Sequence, residues 1–340
     1  MRYFKEFGHA IGAPLAAIVA TLTIGFLLVT AITDEPVQAY HDLLFANFES
    51  LSNFGLFLNR ATPLTLIALG VIFSFRAGVF NVGGEGQLYA GAIAAAVVAI
   101  IGSSLPGIIL LPVSILAGIV AGAFLGWIPA ILKVRLAVDE VVTTLMLNII
   151  MLLLTSYLAN NVIRDANAYG AVSKVIPKSV WLSAMPGVPG ASISFLVAVM
   201  LAFATWILLF RTPWGARLRS SGVNLRFAEA IGVAADRYII SAMVITGSFG
   251  GLAGALYVLG IGHRFDQNFS PAYGLVGLTC ALLARVHPLG ALATSLFYAM
   301  MLNGAAYMQI STEVPRSLVN LLTGLLVLLM TARLRRANRL

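Results

Sequence analysis

The chain has 340 residues, of which 60% are hydrophobic and 10% charged, and its net charge is +8. Soluble domains carry about 25% charged residues because their surfaces must face water, so this composition excludes an ordinary soluble globular protein. The mean hydropathy is +0.95, and apolar runs of about 20 residues are long enough to cross a bilayer as helices. The sequence therefore predicts an all-α polytopic membrane protein.

The apolar runs predict about ten transmembrane helices in a single domain, residues 1–340, with some helices short or broken. The first run follows Arg2 and Lys5 as a signal peptide would, but further apolar segments come after it, so we interpret it as a retained helix. In chain order, the predicted segments are Ala10–Ile32, Ala61–Phe80, Gly86–Ile101, Gly107–Leu132, Val141–Ala159, Ala191–Phe210, Tyr238–Gly260, Ala272–Ala284, Leu289–Ala306 and Leu318–Thr331.

The distribution of basic residues predicts the orientation of the chain. When the segments alternate across the membrane, most Lys and Arg residues fall on the side of the N-terminus. Cytoplasmic loops carry an excess of Lys and Arg, so both termini are predicted to be cytoplasmic. The same distribution accounts for the positive net charge, and we expect the lipid bilayer, with no nucleic acid, as the surroundings of the chain.

Two connections are long enough to have a function of their own. Residues 160–190 contain three prolines and several glycines, as expected for an exposed periplasmic loop that contacts an external partner. Residues 211–237, the predicted cytoplasmic coupling loop, combine a turn, a basic stretch and a short helix pattern from Leu225 to Ile231 that ends at Gly232. Such a helix can dock into a groove of a partner; the alternative is a basic interfacial helix that faces lipid.

Polar residues are concentrated in residues 73–92, where they interrupt an apolar pattern. Asn81, Glu85 and Gln87 lie among several glycines and follow Arg76. Glycines in series interrupt a helix, and the freed backbone groups are tolerated at membrane depth only where protein or water satisfies them. We interpret this stretch as a broken helix whose polar groups line or gate a pathway. The alternative is a cytoplasmic turn in which Arg76 and Glu85 form a solvated pair.

A second polar group begins the predicted segment Val141–Ala159. Asp139 and Glu140 precede the apolar run, as carboxylates do at a helix N-terminus, where the helix dipole favours them. Thr143, Thr144 and Asn148 then follow at spacings that place them on one side of the helix. Asn148 is a candidate for the pathway, whereas threonine hydroxyls often bond back to their own backbone.

Other features indicate packing and the absence of local chemistry. Gly247, Gly251 and Ala255 repeat at every fourth residue, which lets helices pack closely. The single cysteine, Cys280, allows no intrachain disulfide. The sequence has neither a phosphate-binding loop with Lys and Ser/Thr nor an HExxH pair. We therefore predict no catalytic residues, no metal site and no cofactor bound by this chain.

Several motifs in order resemble one known family. RAGVFNVGGEGQ (76–87) is similar to an Arg-Ala-Gly, Asn-Ile-Gly, Glu-Gly-Gln pattern, and VVTTLMLNII (141–150) to a Thr-Thr-Leu-Met-Leu-Asn element. Residues 211–257 resemble a cytoplasmic coupling region, and 277–305 an Ala-Leu-Leu-Gly, Asn-Pro-Leu-Gly pattern. The resemblance, over most of 61–331, is to permeases of ATP-binding-cassette importers in the branched-chain amino acid, ribose and nucleoside branch, nucleoside-type subgroup. Arg285 and His287 depart from the usual Gly and Asn.

The resemblance implies a division of labour in the bacterial cytoplasmic (inner) membrane. Two permease subunits, related chains or copies of one chain, would form the pathway. A cytoplasmic ATPase would bind ATP and Mg²⁺, and an extracytoplasmic substrate-binding protein would deliver the solute. Transport would proceed by alternating access. The resemblance implies two sets of site residues: Asn81, Glu85, Gln87 and Asn148 in the substrate pathway, and Asn224, Arg226, Glu229 and Gly232 in the ATPase coupling segment.

Nucleosides or nucleobases are the expected cargo, with simple sugars next, because such solutes need hydrogen bonds more than a fixed counter-ion. A riboflavin-like heterocycle fits the same pathway. Two other classes stay open at this point. A secondary transporter driven by an ion gradient would use Glu85 as its intramembrane carboxylate, and a scaffold or channel would show no saturable uptake.

Overall fold

The computed structural model describes residues 23–31, 33–168 and 170–312, together with residues 314, 321 and 324. The predicted segments Ala10–Ile32 and Leu318–Thr331 therefore lie mostly outside the described residues, although 23–30 are helical. Within the described part of the chain, the secondary structure consists of helices and three isolated β-bridges, without a sheet. This agrees with the all-α prediction.

Eleven helices are numbered here in chain order. A π-helix, Val258–Gly262, continues the helix Ala235–Tyr257, and 3₁₀ turns occupy Ala46–Phe48 and Lys178–Val180. The helices are α1 (Pro36–Phe45), α2 (Leu51–Arg76), α3 (Gly84–Ile101), α4 (Gly107–Leu136), α5 (Glu140–Asn161), α6 (Ser194–Arg211), α7 (Pro213–Val223), α8 (Leu225–Ala230), α9 (Ala235–Tyr257), α10 (Tyr273–Leu283) and α11 (Pro288–Ser311).

Seven helices of the described residues are long and apolar enough to cross a membrane: α2 to α6, α9 with its π-helical extension, and α11. The shorter apolar helix α10 matches the predicted segment Ala272–Ala284. Each of the eight predicted segments between 61 and 306 thus corresponds to one helix. The total of ten and the position of both termini stay predictions.

The main error in the predicted boundaries concerns α2. This helix begins at Leu51 and ends at Arg76, whereas the predicted segment runs from Ala61 to Phe80. Residues 51–60 contain asparagines that conceal the apolar pattern. The structure shows why they are tolerated, because Asn59 Nδ2 donates to the Gly190 carbonyl, and Asn59 Oδ1 accepts from the Ser192 amide.

The described chain divides into two compact units. The larger one is Leu58–Leu296, and the smaller one lies within Met1–Phe57 and Phe297–Leu340. In the larger unit, α3, α4 and α9 pack at very short range. A Cβ added at Gly122 of α4 would overlap the carbonyl oxygen of Gly247 on α9, and one added at Gly251 would overlap that of Gly118. The prediction that the glycines of 247–255 serve close packing is therefore confirmed.

The smaller unit contains α1, which the sequence pattern did not predict. Leu43 and Ala39 of α1 share an apolar core with Met308 on the C-terminal part of α11. Asn303 Nδ2 donates to Asn47 Oδ1 at 2.7 Å in a buried amide pair. Paired polar groups of this kind allow a partly polar segment to pack as core.

The connection 160–190 is held by backbone hydrogen bonds to a second segment of the chain. An isolated bridge joins Val172 to Asp266, and the Ile176 amide donates to the His263 carbonyl at 3.0 Å. Ile176 and Val180 are buried in the core of the larger unit. Much of this proline-containing segment is exposed, and its backbone pairing with 259–267 folds it into a cap.

Candidate functional site

The predicted helix break is present between α2 and α3. Helix α2 ends at Arg76, α3 begins at Gly84, and residues 77–83 are not helical. Gly78 has a φ of +77°, in the left-handed region that glycine adopts without a steric penalty. The predicted interruption is therefore present, but it lies before most of the glycine run, because Gly84 and Gly86 belong to the first turn of α3. The break leaves backbone groups free inside an apolar unit.

Three side chains of α5 satisfy these freed groups. Glu140 Oε1 accepts from the Phe80 amide at 3.2 Å, and Thr144 Oγ1 accepts from the Val82 amide at 3.3 Å. Asn148 Oδ1 accepts from the Gly86 amide at 2.8 Å, while its Nδ2 donates to the Val82 carbonyl at 2.9 Å. Residues 140, 144 and 148 share one helix face because they are four apart. This face of α5 holds the break in place.

Asn81 in the break and Gln87 in the first turn of α3 form a buried amide pair. They are 0% and 2% exposed, and Asn81 Oδ1 accepts from the Gly83 amide at 2.8 Å and from Gln87 Nε2 at 3.4 Å. The donor Asn81 Nδ2 and the acceptor Gln87 Oε1 have no hydrogen-bond partner. A buried polar atom without a partner is costly, so these two atoms have hydrogen-bonding capacity left for a further group.

A narrow crevice adjoins Gln87. Gln87, Thr144 and Asn148 contribute its polar atoms, and Leu125 and Leu147 its apolar wall. The crevice is too narrow to hold a water molecule. Asn81 and Gln87 are therefore closed off from solvent within the described residues.

Glu85 and Arg76 have separate partners. Glu85 Oε2 accepts from the Gly274 amide of α10 at 2.6 Å. Arg76 donates through Nε and Nη2 to the Val286 carbonyl at 3.0 and 2.8 Å. The alternative of a solvated Arg76–Glu85 pair is not what the structure contains. Instead, each end of the break is tied to the segment that carries α10.

The structure thus brings Asn81, Glu85, Gln87 and Asn148 to one place around the break, while their contact with substrate stays a prediction. Glu140 was predicted from the sequence only as a carboxylate favoured by the helix dipole, and its contact with the break was not foreseen. Glu140 also pairs with Lys133, with Nζ and Oε2 2.6 Å apart. The four-residue spacing between polar side chains of α5 was the signal that could have identified it.

The coupling loop contains the predicted short helix. Asn224 Oδ1 accepts from the Phe227 amide at 3.1 Å and so caps α8, and Gly232 follows the helix with a φ of +80°. Arg226 and Glu229 are exposed, and neither forms a salt bridge within the described residues. The helix ends at Ala230, one residue before the predicted Ile231.

The coupling loop touches the break directly. Gly222, near the end of α7, packs against Gly78, and a Cβ added at Gly222 would overlap the carbonyl oxygen of Arg76. Arg76 and Arg219 also lie over the Phe210 ring, with 5.3 and 4.9 Å between each guanidinium carbon and the ring centroid. A displacement of α7 would therefore act first on the junction between α2 and the break.

Comparisons with known proteins agree on the class of protein. A family model described as the permease component of the branched-chain amino acid transport system matches residues 53–331. The chain is 31% identical over 329 residues to a glucose ABC transporter permease of Haloferax volcanii, covering 94% of this chain and 86% of that protein.

Two relatives are named for nucleosides. The chain is 30% identical to a nucleoside ABC transporter permease of Lactococcus lactis, over 92% of this chain and 88% of the relative. It is also 30% identical to a guanosine ABC transporter permease of Bacillus subtilis, over 95% and 93% of the two chains. Its described part has seven helices long and apolar enough to cross a membrane. This chain belongs to the permease family of the branched-chain amino acid transport system and is the membrane-spanning, non-hydrolysing subunit of an ATP-driven importer.

Proposed function

We propose that this permease moves nucleosides or nucleobases inward across the membrane, with simple sugars as the second class of cargo. The nucleoside and guanosine permeases are similar to it over nearly their whole length, and the glucose permease supports the second class. Family membership makes ATP the energy source, and no observation favours the ion-gradient alternative.

The observation that carries the substrate proposal is the buried amide pair. Asn81 Nδ2 offers one unpaired donor and Gln87 Oε1 one unpaired acceptor beside the helix break. Nucleobase edges and ribose hydroxyls present donors and acceptors without a net charge, so they match such groups without a counter-ion. A site built to hydrogen-bond a substrate rejects analogues that lack those groups, because its own buried atoms are then left unpaired.

The proposed mechanism joins the break to the coupling loop. ATP-driven closure of the partner ATPase would move α8 and α7, and the contact of Gly222 with Gly78 would pass the movement to the break. The crevice would then open to one side of the membrane at a time. The ATPase can drive this change only if it binds the two conformations with different affinity.

The same proposal assigns the partner subunits of the permease and the membrane in which it lies. A permease of this class acts with an ATPase that binds ATP and Mg²⁺ and with a substrate-binding protein. We further propose that a second permease chain, related or identical, completes the pathway, and that the binding protein meets the cap of residues 160–190 outside the cell. On this proposal, residues 1–340 form one domain in the bacterial cytoplasmic membrane, with both termini inside.

The test of the substrate is uptake of radiolabelled guanosine into proteoliposomes that hold this chain with its partner permease, ATPase and binding protein. Asn81→Ala and Gln87→Ala should each reduce the uptake rate by about tenfold or more, the scale of one lost hydrogen bond to a buried polar group. Asn161→Ala, an exposed asparagine of α5, is the matched control. Faster uptake of glucose than of guanosine would identify simple sugars as the cargo and contradict the nucleoside proposal.

The test of coupling uses the cap of α8. Asn224→Ala removes the capping oxygen and costs the helix about 1 kcal/mol, whereas Asn224→Ser keeps an N-cap. We expect the Ala variant to lose ATP-dependent uptake and part of its bound ATPase, and the Ser variant to retain both. Uptake of guanosine that proceeds without any ATPase would refute the importer mechanism.

A further inference from the structure

A pocket of about 560 Å³ lies where α7, the end of α8 and the first turns of α9 meet. Arg217 and Arg237 line it from α7 and α9, together with the rings of Trp214 and Tyr238. Ser241 lies deepest along α9, and Ile231 adds an apolar edge. The importer mechanism uses α8 and α7 as moving parts but gives this pocket no occupant.

The two arginines have no acidic partner. Within the described residues, neither guanidinium forms a salt bridge. The nearest carboxylates along the chain, Glu229 and Asp236, are exposed and do not line the pocket. A guanidinium presents its donors in a planar fork that matches the oxygens of phosphate. The charges on the pocket wall therefore favour a ligand with a negatively charged, oxygen-rich group.

The pocket also extends along α9, one of the helices long and apolar enough to cross a membrane. Helix α9 begins at Ala235, and Ser241 lies six residues further, about 9 Å along the helix axis. The rings of Trp214 and Tyr238 are 6.1 Å apart between centroids, and such rings concentrate at the level of lipid headgroups. A pocket at the first turns of a membrane helix, lined by such rings, favours a lipid headgroup over a soluble partner protein as its ligand.

We propose that this pocket binds the phosphate of an anionic phospholipid headgroup, with Arg217 and Arg237 as its charged ligands. The proposal rests on the cytoplasmic position of the coupling loop given above. Basic pockets at the cytoplasmic ends of membrane helices hold such headgroups. The bound lipid then lies beside the C-terminal end of α8 and fixes the position of this helix relative to the membrane.

The experiment compares lipid retention in the assembled importer. The complex is reconstituted into nanodiscs of phosphatidylglycerol or of phosphatidylcholine, and bound lipid is counted by native mass spectrometry after release. We expect wild type to retain phosphatidylglycerol selectively. Arg217→Gln with Arg237→Gln should reduce its occupancy by about tenfold, the scale of a lost charge-assisted hydrogen bond. Arg135→Gln, an exposed arginine outside the pocket, should not change it.

Further arms separate the sources of the anion. Inorganic phosphate added to phosphatidylcholine nanodiscs should not raise the melting temperature of the complex as phosphatidylglycerol does; an equal rise would identify a free anion and overturn the lipid proposal. Loss of the ATPase from the double variant with unchanged lipid would identify an acidic surface of the ATPase as the occupant. If the double variant does not fold, Arg217→Gln alone should still show a several-fold loss, and equal retention would contradict the proposal.

The result of the lipid-retention experiment does not depend on which solute the permease transports. Lipid counting needs no transported solute. A wild-type complex that does not retain phosphatidylglycerol selectively therefore refutes only the headgroup site. Failure of guanosine uptake in a complex that still retains phosphatidylglycerol refutes only the substrate proposal.

Discussion

At the scale of the residue, the break depends on a few side chains that replace missing helical hydrogen bonds. Asn148 satisfies two backbone groups with one side chain, because its amide accepts from the Gly86 amide and donates to the Val82 carbonyl. Both backbone groups lie in a segment that the bundle surrounds. Removing the amide therefore leaves a donor and an acceptor without partners.

Asn148→Ala should lower the free energy of unfolding by about 2 kcal/mol, the cost of unsatisfied buried polar groups. The measurement is thermal or denaturant unfolding of the purified chain in detergent. Asn161→Ala is the matched control, because its Nδ2 donates only to a carbonyl of its own helix. An equal loss in the two variants would show that Asn148 does not hold the break.

His263 gives the folded cap a dependence on pH. Its ring stacks on Trp181 with 3.8 Å between centroids and 10° between planes. Burial lowers the pKa of His263 below its ordinary value. The neutral form therefore stabilises the folded state above the unfolded pKa of about 6.5, and this contribution is lost as the pH falls from there through the lowered folded pKa.

We expect the melting temperature of wild type to fall between pH 7.5 and pH 5, and the fall to be smaller in His263→Phe, which keeps an aromatic ring but cannot be protonated. His263 has a φ of 55°, and any constant cost of phenylalanine in that conformation cancels in the difference between the two pH values. An equal fall in both proteins would rule out His263 as its source.

At the scale of the element, the larger unit depends on backbone contact between α4 and α9. Glycines at 118 and 122 on α4 face those at 247 and 251 on α9, so no side chain separates the two helices. Apolar side chains gain little by leaving lipid for protein, so packing of this kind is a main source of association between membrane helices. A single methyl group at the contact is enough to separate them.

Gly122→Ala should destabilise the chain by about 1–3 kcal/mol through overpacking, and Gly122→Val by more. Val120→Ala, on the exposed face of the same helix, serves as the control and should be nearly neutral. The midpoint of denaturant unfolding in detergent reports both. A neutral Gly122→Ala would mean that the helices separate without cost, contrary to the close packing observed.

At the scale of the whole molecule, the open question is the orientation in the membrane. The excess of basic residues on one side predicts cytoplasmic termini, and the coupling and lipid proposals both need α8 inside. The only cysteine, Cys280, is fully buried. Introduced cysteines can therefore be labelled against a low background.

Lys174→Cys, in the cap, should react with a membrane-impermeant maleimide in intact cells. Arg135→Cys, at the end of α4, should react only after the membrane is permeabilised. Both native side chains are exposed, so access is decided by the side of the membrane. The reverse labelling pattern would invert the topology and remove the cytoplasmic coupling loop from contact with an ATPase.

The sequence by itself determined the class of the protein, the helix break and most of the helices. Apolar runs of membrane length, glycines at 83, 84 and 86, and the pattern that ends at Gly232 are local signals, and local signals suffice where the solvent is lipid and each helix satisfies its own backbone. The start of α2 was predicted ten residues too late because the partners of Asn59 lie far along the chain and are not visible in the local pattern.

Only the tertiary structure decided which polar groups meet. It showed that one face of α5 holds the break, that residues 160–190 form a cap with 259–267, and that α7 packs on Gly78. These contacts join residues that are far apart in sequence, and nothing in the local pattern specifies their partners. A buried donor or acceptor must be paired at some point in the fold, but the partner is chosen by helix packing, which a single sequence does not display.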